Sequence, residues 1–447
     1  MSATAPDPTV QQLSGWGRVP VVEAPVRAGE DLLRAARDTV LSRGLGRAYG
    51  DAALPLGGPV ALTTHADRII SFDPDTGVLH AEAGLSLSQL MRSFLPNRWF
   101  TPVSPGTQYV TLGGMVASDI HGKNHHVHGT FGSFVRALHM AVPDGEDGAL
   151  RRVRCTPESS SDLFWATIGG MGLTGHILEV EVELERLPSP WIYEETSRHG
   201  SLEEVFGVLK EESAVWPMTV AWIDTSSRGA AMGRGIVMRG RWAEADEAPK
   251  EPPSWRNAPE VPPVFPSGVM NRMSVKALNT AWYLKHGGST VKHVVGPEAF
   301  YYQLDMLTQW NRGYGARGFT QYQCVMPSDL EAYRTLLTRF QDLGGCSFVT
   351  VFKDCGPQGE GLLSFPKEGT SLAVDIPMGP HVPKLVDELN AMVVDHGGRI
   401  YLAKDAFTSA EHFRAMYPRL DGFLAVKRRY DPGGRISSVL AERLRIG

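Results

Sequence analysis

The chain has 447 residues, more than one ordinary core accommodates and enough for two large domains. Hydrophobic residues make up 42% and charged residues 21%, the balance of a soluble globular enzyme, and a formal net charge of −5 argues against nucleic acid as a partner. The four cysteines, Cys155, Cys324, Cys346 and Cys355, form no CxxC pair, so buried free thiols are expected rather than a disulfide framework.

Residues 1–14 read as a disordered tail without the basic and apolar regions of a secretory signal. From 15 to 187 the pattern is mixed α/β. "EDLLRAARDTVL" predicts a helix before the Gly-rich "LSRGLGRAYGDAAL". "GVLHAEAGL" predicts a strand, and "SLSQLMRSFLP" a helix capped by Ser86 or Ser88. "DLFWATIGG" reads as a short helix. In "GHILEVEVELERL" the alternation of Ile177, Val180, Val182 and Leu184 with charged residues predicts a half-exposed strand. Pro188 and Pro190 mark a boundary. A second domain then spans 188–398, expected as an antiparallel sheet with flanking helices. Within it, residues 244–268 are rich in Pro and charge and read as a mobile surface loop. The segment 399–447 returns to a strand-then-helix pattern and is expected to rejoin the first domain. No apolar run approaches the ~20 residues that span a bilayer, so membrane contact would be peripheral.

Three Gly-rich elements lie in order in the first domain. In "RGLGRAYGD", Gly44, Gly46 and Gly50 free backbone N–H groups to face an anion, although a simple Gly-rich turn has the same look. The motif is neither GxGxxG nor a P-loop. The second element, Pro102–Gly132, holds "DIHGKNHHVHG", with His121, His125, His126 and His128. His121 and His125 have the i, i+4 spacing of a zinc pair, but Gly122 makes a helix doubtful and no Cys completes a site, so no metal is expected. The third is "FWATIGGMGLTGHI". Three such loops point to a large dinucleotide.

The motifs "RGLGRAYGD", "SDIHGKNHH", "LFWATIGGMGLTG", "WNRGYG", "QYQ", "LSFP", "YLAKD" and "AEHFRAMYPR" carry a resemblance over nearly the whole chain. They resemble the vanillyl-alcohol-oxidase superfamily with its PCMH-type FAD-binding domain, and within it the decaprenylphosphoryl-β-D-ribose oxidases of actinobacterial cell-wall arabinan synthesis. The resemblance implies a two-domain α+β flavoprotein: an FAD-binding domain from residues 1–187 and 399–447, and a substrate-binding domain from 188–398. It implies FAD bound non-covalently, because Arg47 takes the place of the linking His of covalent relatives. The implied contacts are Arg43, Gly44, Leu45, Gly46, Arg47, Ala48, Tyr49 and Gly50 from the first loop. Pro105, Gly106, Thr107, Thr111, Gly113, Gly114, Ser118, His121, Gly122, Asn124 and His125 come from the second, with Ile177 and Tyr401 beyond them.

The implied reaction oxidises the C2′ hydroxyl of a polyprenylphosphoryl-β-D-ribose to a ketone. An NAD(P)H-dependent keto-reductase partner then makes the arabinose epimer. Flavin reduction leaves negative charge that a fixed cation stabilises, and Lys404 is the candidate; its bland alternative is a surface lysine beside Asp405. Removing the hydroxyl proton calls for a base near neutrality, for which His121 is the candidate. Lys353 follows an apolar strand and faces the substrate in this reading. Trp222, Tyr301, Gln321 and Gln323 match family pocket positions, with core packing as their alternative. Three departures stand out: Ala373 where the family has a pocket cysteine, Ser118 where it has another, and Met171 in place of Asn. The expected location is cytoplasmic or peripheral at a membrane, with export by association with the partner as the alternative. Rival readings are an alditol or aldonolactone oxidase of soluble sugars, and a sugar- or metal-binding protein that keeps the fold.

Overall fold

The computed structural model describes residues 9–144, 149–255 and 257–447. It is an α+β fold with three principal sheets. The chain begins with a four-stranded sheet in the order Thr9–Ser14, Val21–Ala28, Val60–Leu62, Leu41–Arg43. The expected disordered tail is therefore corrected for residues 9–14: they pair antiparallel with Val21–Val26, Thr9 opposite Val26 and Ser14 opposite Val21. The rest of that expectation falls on residues outside those described. A short polar run such as "TVQQLS" gives no local strand signal; its partner lies across a turn and supplies the apolar residues.

The predicted helix "EDLLRAARDTVL" is only Leu32–Ala36, because Asp38 turns left-handed at φ 60° and Leu41–Arg43 joins the sheet. The helix Leu87–Phe94 forms as expected. Ser86 accepts from the Gln89 N–H while the Gln89 side chain accepts from the Ser86 N–H, a reciprocal cap. The antiparallel five-stranded sheet has His176–Glu183 at its centre, between Val78–Glu82 and Val135–Asp144. Its alternation holds: Val180 and Val182 are fully buried, while Glu179, Glu181 and Glu183 are half-buried on the other face.

The eight-stranded antiparallel sheet runs Val291–Val295, Ile192–His199, Gly235–Trp242, Met218–Ile223, Thr350–Cys355, Gly369–Pro377, Phe319–Met326, Arg399–Ile400. Successive side chains of a strand point to opposite faces. Ala221, Val237, Tyr322, Phe352, Leu372 and Val374 face one way and share a core with the helices Leu202–Ser213, Leu330–Asp342 and Val382–Asp395. Their neighbours Trp222, Ile236, Gln321, Gln323, Lys353 and Ala373 face the other way, into a cavity. Arg399–Ile400 belongs to this large sheet, so the chain turns back toward its first half only after residue 400. There the Lys427 ammonium donates to the Leu173 carbonyl, and Arg443 pairs with Asp51. All four cysteines are free and buried.

Candidate active site

A cavity of about 640 Å³ lies between the glycine-rich loops and the open face of the eight-stranded sheet. Gly44 lets the first two loops meet: a Cβ there would lie 2.3 Å from the Thr111 hydroxyl oxygen. Gly44 to Tyr49, Pro105 to Thr107, Thr111, Gly113, Gly114, Ser118, His121, Gly122, Ile177 and Tyr401 all line the cavity, as do Trp222, Tyr301, Gln321, Gln323, Lys353, Ala373 and Lys404.

Four expected contacts do not line it and are corrected. Arg43 turns away, its guanidinium donating to the carbonyls of Ala53 (2.9 Å) and Ser14 (2.6 Å). Gly50 is required elsewhere, since a Cβ would sit 1.9 Å from the Asp405 carbonyl oxygen. Asn124 donates to the Pro102 carbonyl at 2.7 Å. His125 Nδ1 accepts the Gly356 N–H at 3.0 Å, which ties the loop to the chain beyond Cys355. Tyr301 reaches the cavity with its ring only, because its hydroxyl donates to the Met218 sulfur. Trp222 donates to the Phe348 carbonyl and packs with Val220, Ile236 and Met238 as an apolar wall.

The histidine run diverges. His121 Nε2 faces the Gln323 amide nitrogen at 3.1 Å, His126 Nε2 meets the Trp216 carbonyl at 2.8 Å, and His128 Nδ1 faces the Asn124 amide at 3.0 Å. The imidazoles thus serve four separate partners. Among the described residues, the ligand-type cluster within reach of one ion lies elsewhere, at His80, His139 and Glu179, on three different strands.

Lys404, Lys353, His121 and Asp375 influence one another's charge. Lys404 is half-buried with its ammonium 3.6 Å above the centre of the Tyr49 ring. Burial lowers its pKa to about 7, opposed by Asp375 and reinforced by Lys353. Lys353 donates to the Gly122 carbonyl at 2.8 Å, and burial brings it to about 8. Burial, then the charges of Lys353, His125 and Lys404, hold His121 well below the usual imidazole value, hence neutral. Its bond with the Gln323 N–H makes Nε2 the acceptor in this tautomer, and its Nδ1 is buried with no partner among the described residues. Asp375, fully buried, accepts from Gln321 at 2.5 Å and from the Tyr314 hydroxyl at 3.1 Å, and burial raises it to about 7. Sequence reasoning missed this carboxylate. The period-two alternation from Ala373 was the available signal.

The Arg47 guanidinium stacks 3.8 Å over Trp16, and its Nε donates to the Tyr109 carbonyl. Tyr401 donates to the Ser118 carbonyl at 2.8 Å and stacks on Phe365. Met171 holds a left-handed φ of 54°, a conformation Asn tolerates better than Met. Three buried polar atoms on cavity-lining residues, Thr63 Oγ1, Thr350 Oγ1 and His121 Nδ1, have no partner among the described residues. Such atoms call for a polar ligand. The glycine cradle with these donors and acceptors fits a dinucleotide.

A model of the FAD binding domain matches residues 23–147. The chain is 39% identical over the full length of both proteins to the decaprenylphosphoryl-β-D-ribose oxidase of Mycolicibacterium smegmatis. The chain belongs to the decaprenylphosphoryl-β-D-ribose oxidase family. It is 30% identical to an uncharacterised protein of Streptomyces coelicolor, over 80% of this chain and all of that one. It is also 27% identical to a D-lactate dehydrogenase of Anaerostipes hadrus, over 31% of this chain and 29% of that one. This family member is a FAD-dependent oxidoreductase. Its cavity is lined by Lys353, Lys404, Gln321 and Gln323, and with Ala373 and Ser118 in place no cysteine is among the described lining residues.

Proposed function

We propose that the chain oxidises the C2′ hydroxyl of a polyprenylphosphoryl-β-D-ribose to the 2′-ketone, the first half of epimerisation to the arabinose form. The observation that carries this is the polarity of the cavity. Lys404, Lys353, Gln321 and Gln323 give its lining a polar part, and Trp222, Ile236 and Met238 give it an apolar wall. A sugar phosphate with an apolar tail has that same division.

Bound FAD, held without a covalent link, supplies the hydride acceptor, and its reduction leaves negative charge. Lys404, with a pKa near 7, presents a free amine that takes the proton of the C2′ hydroxyl. The ammonium so formed would supply a fixed cation able to stabilise that negative charge. Asp375 beneath it keeps the amine from falling further in basicity. His121 takes a positioning role in this scheme instead of the base, because Gln323 engages Nε2 and burial holds the ring well below the usual imidazole basicity. Gln321 and Gln323 orient the sugar hydroxyls, and Lys353 faces the phosphate. The ketone passes to an NAD(P)H-dependent keto-reductase. The lipid tail of the substrate brings the chain to a membrane surface as a peripheral protein; no helix among the described residues is long and apolar enough to cross one.

The test is anaerobic bleaching of the flavin by a short-chain polyprenylphosphoryl ribose, compared with xylitol and gulonolactone. Bleaching by the first alone is expected. Bleaching only by the soluble sugars would replace this reading with that of an alditol or aldonolactone oxidase. Acid precipitation should release the flavin; flavin retained in the pellet would refute non-covalent binding.

A further inference from the structure

The helix Arg272–Lys285 has two unlike faces. Val275 and Asn279 are buried, and Trp282 with the following His286 lines the active-site cavity. The opposite face carries Met273, Ala277, Ala281 and Leu284, which share one side at helical spacing and are all exposed, Met273 by 84% and Leu284 by 63%. Lys276 and Lys285 flank this apolar stripe on its two sides, both exposed. No Asp or Glu occurs from Val261 to Pro297, in a chain where about one residue in nine is acidic. Val264, Val269 and Val291 add exposed apolar side chains in the same run, Val264 being 90% exposed. Singly exposed apolar residues need no explanation; this many in one acid-free segment do.

We propose that this helix face is the membrane-docking surface of the protein, seated on the interface of an anionic bilayer. The argument rests on the proposed use of a polyprenylphosphoryl substrate. An apolar stripe between lysines is the pattern of an interfacial helix: the stripe enters the acyl boundary while the lysines meet anionic headgroups. Of the other cations, Lys292 is paired to Glu195 and Arg272 donates to the Gln341 carbonyl, so Lys276 and Lys285 carry the attraction. Because Trp282 on the inner side of the same helix lines the cavity, docking sets that side of the cavity toward the bilayer. A lipid-linked sugar can then enter without its tail crossing water.

The experiment is flotation of the full-length, FAD-loaded protein with phosphatidylcholine vesicles lacking or containing 30% phosphatidylglycerol, without substrate. Binding to the anionic vesicles that weakens in high salt is expected. Met273→Asp with Leu284→Asp should reduce it at least tenfold, and each of Lys276→Glu and Lys285→Glu by about fivefold or more. The same variants should bleach normally with a short-chain water-soluble substrate, and slowly with a long-chain substrate embedded in vesicles. No binding to either vesicle, or equal binding by wild type and variants, overturns the proposal. So does a dimer in solution that Met273→Asp dissociates, which would assign the face to a second copy. Loss of the face by capture of the purified keto-reductase, in place of vesicles, would likewise overturn it. Vesicle flotation and soluble bleaching fail independently, so a wrong substrate and a wrong docking face are told apart.

Discussion

The proposed base makes a quantitative demand on the pH profile. An ordinary lysine with a pKa near 10.4 holds about one free amine in 2500 at pH 7. Lys404, lowered to about 7 by burial, holds about half. The site therefore gains on the order of 10³ in available base at neutral pH. In stopped-flow reduction with a short-chain substrate, the rate constant should rise about tenfold per unit below pH 7 and level off above it. The sign follows from the role: protonation removes the lone pair, so acid inhibits. Lys404→Met should lower the rate by roughly 10² to 10⁴ and abolish the acid limb, with FAD still bound. Lys404→Arg keeps a cation but presents no free amine, and should be nearly as slow as Lys404→Met. A rate that is highest below pH 6 and falls through pH 7 would refute the reasoning. So would wild-type speed in Lys404→Arg; either result would show that the charge, not the lone pair, does the chemistry.

Stability should fall on the acid side of pH 6.5, because several histidines are buried neutral. His176, fully buried with Nδ1 2.8 Å from the Ser42 hydroxyl, is lowered by burial to about 4. The unfolded chain binds the proton first, so His176 alone should cost about 2 kcal/mol between pH 7.5 and pH 5. Urea unfolding of His176→Gln should show an acid limb flatter by that amount; an unchanged limb would remove His176 as its cause. Arg443 bridges Asp51 at 2.7 Å and Asp405 at 2.8 Å, both buried. Arg443→Met should cost about 3 kcal/mol, since it strands two carboxylates; a change below 1 kcal/mol would contradict the pairing. Thiol-directed electrophiles that enter the cavity should leave the protein mass unchanged and dialyse away. Ala373→Cys should restore covalent capture, and mass spectrometry reads both outcomes.

What the sequence made legible was local. The glycine loops lie where "RGLGRAYGD" and "LGGMVASDIHGK" placed them, because backbone access to a ligand depends on consecutive small residues. The Ser86 cap and the alternation of His176–Glu183 are likewise written within a few residues. What stayed hidden depends on pairings far apart in the chain. The strand Thr9–Ser14 needs Val21–Ala28 to be recognisable. Asn124 and His125 sit in the most specific motif, yet they hold the loop to Pro102 and Gly356 and stay out of the cavity. A motif can recur because it folds a wall as well as because it touches a ligand.

The "YLAKD" segment shows why adjacency misleads. Read along the chain, Lys404 has Asp405 as its neighbour and passes for half of a surface ion pair. In the fold the Asp405 carboxylate accepts from the Arg443 guanidinium and from the Thr408 hydroxyl and backbone N–H, so it braces the turn and carries no partner for Lys404. The acid that acts on Lys404 is Asp375, from the strand Gly369–Pro377, and Gln321 and Tyr314 hold it in place. Successive residues of a tight turn point to different sides, one into the cavity and one into the structure behind it. That division frees Lys404 from a close surface counter-ion and buries it against Tyr49, and burial without a salt bridge is what lowers an amine to neutrality. The base at this site is therefore a product of three distant segments, the turn at 404, the strand at 375 and the aromatic ring at 49.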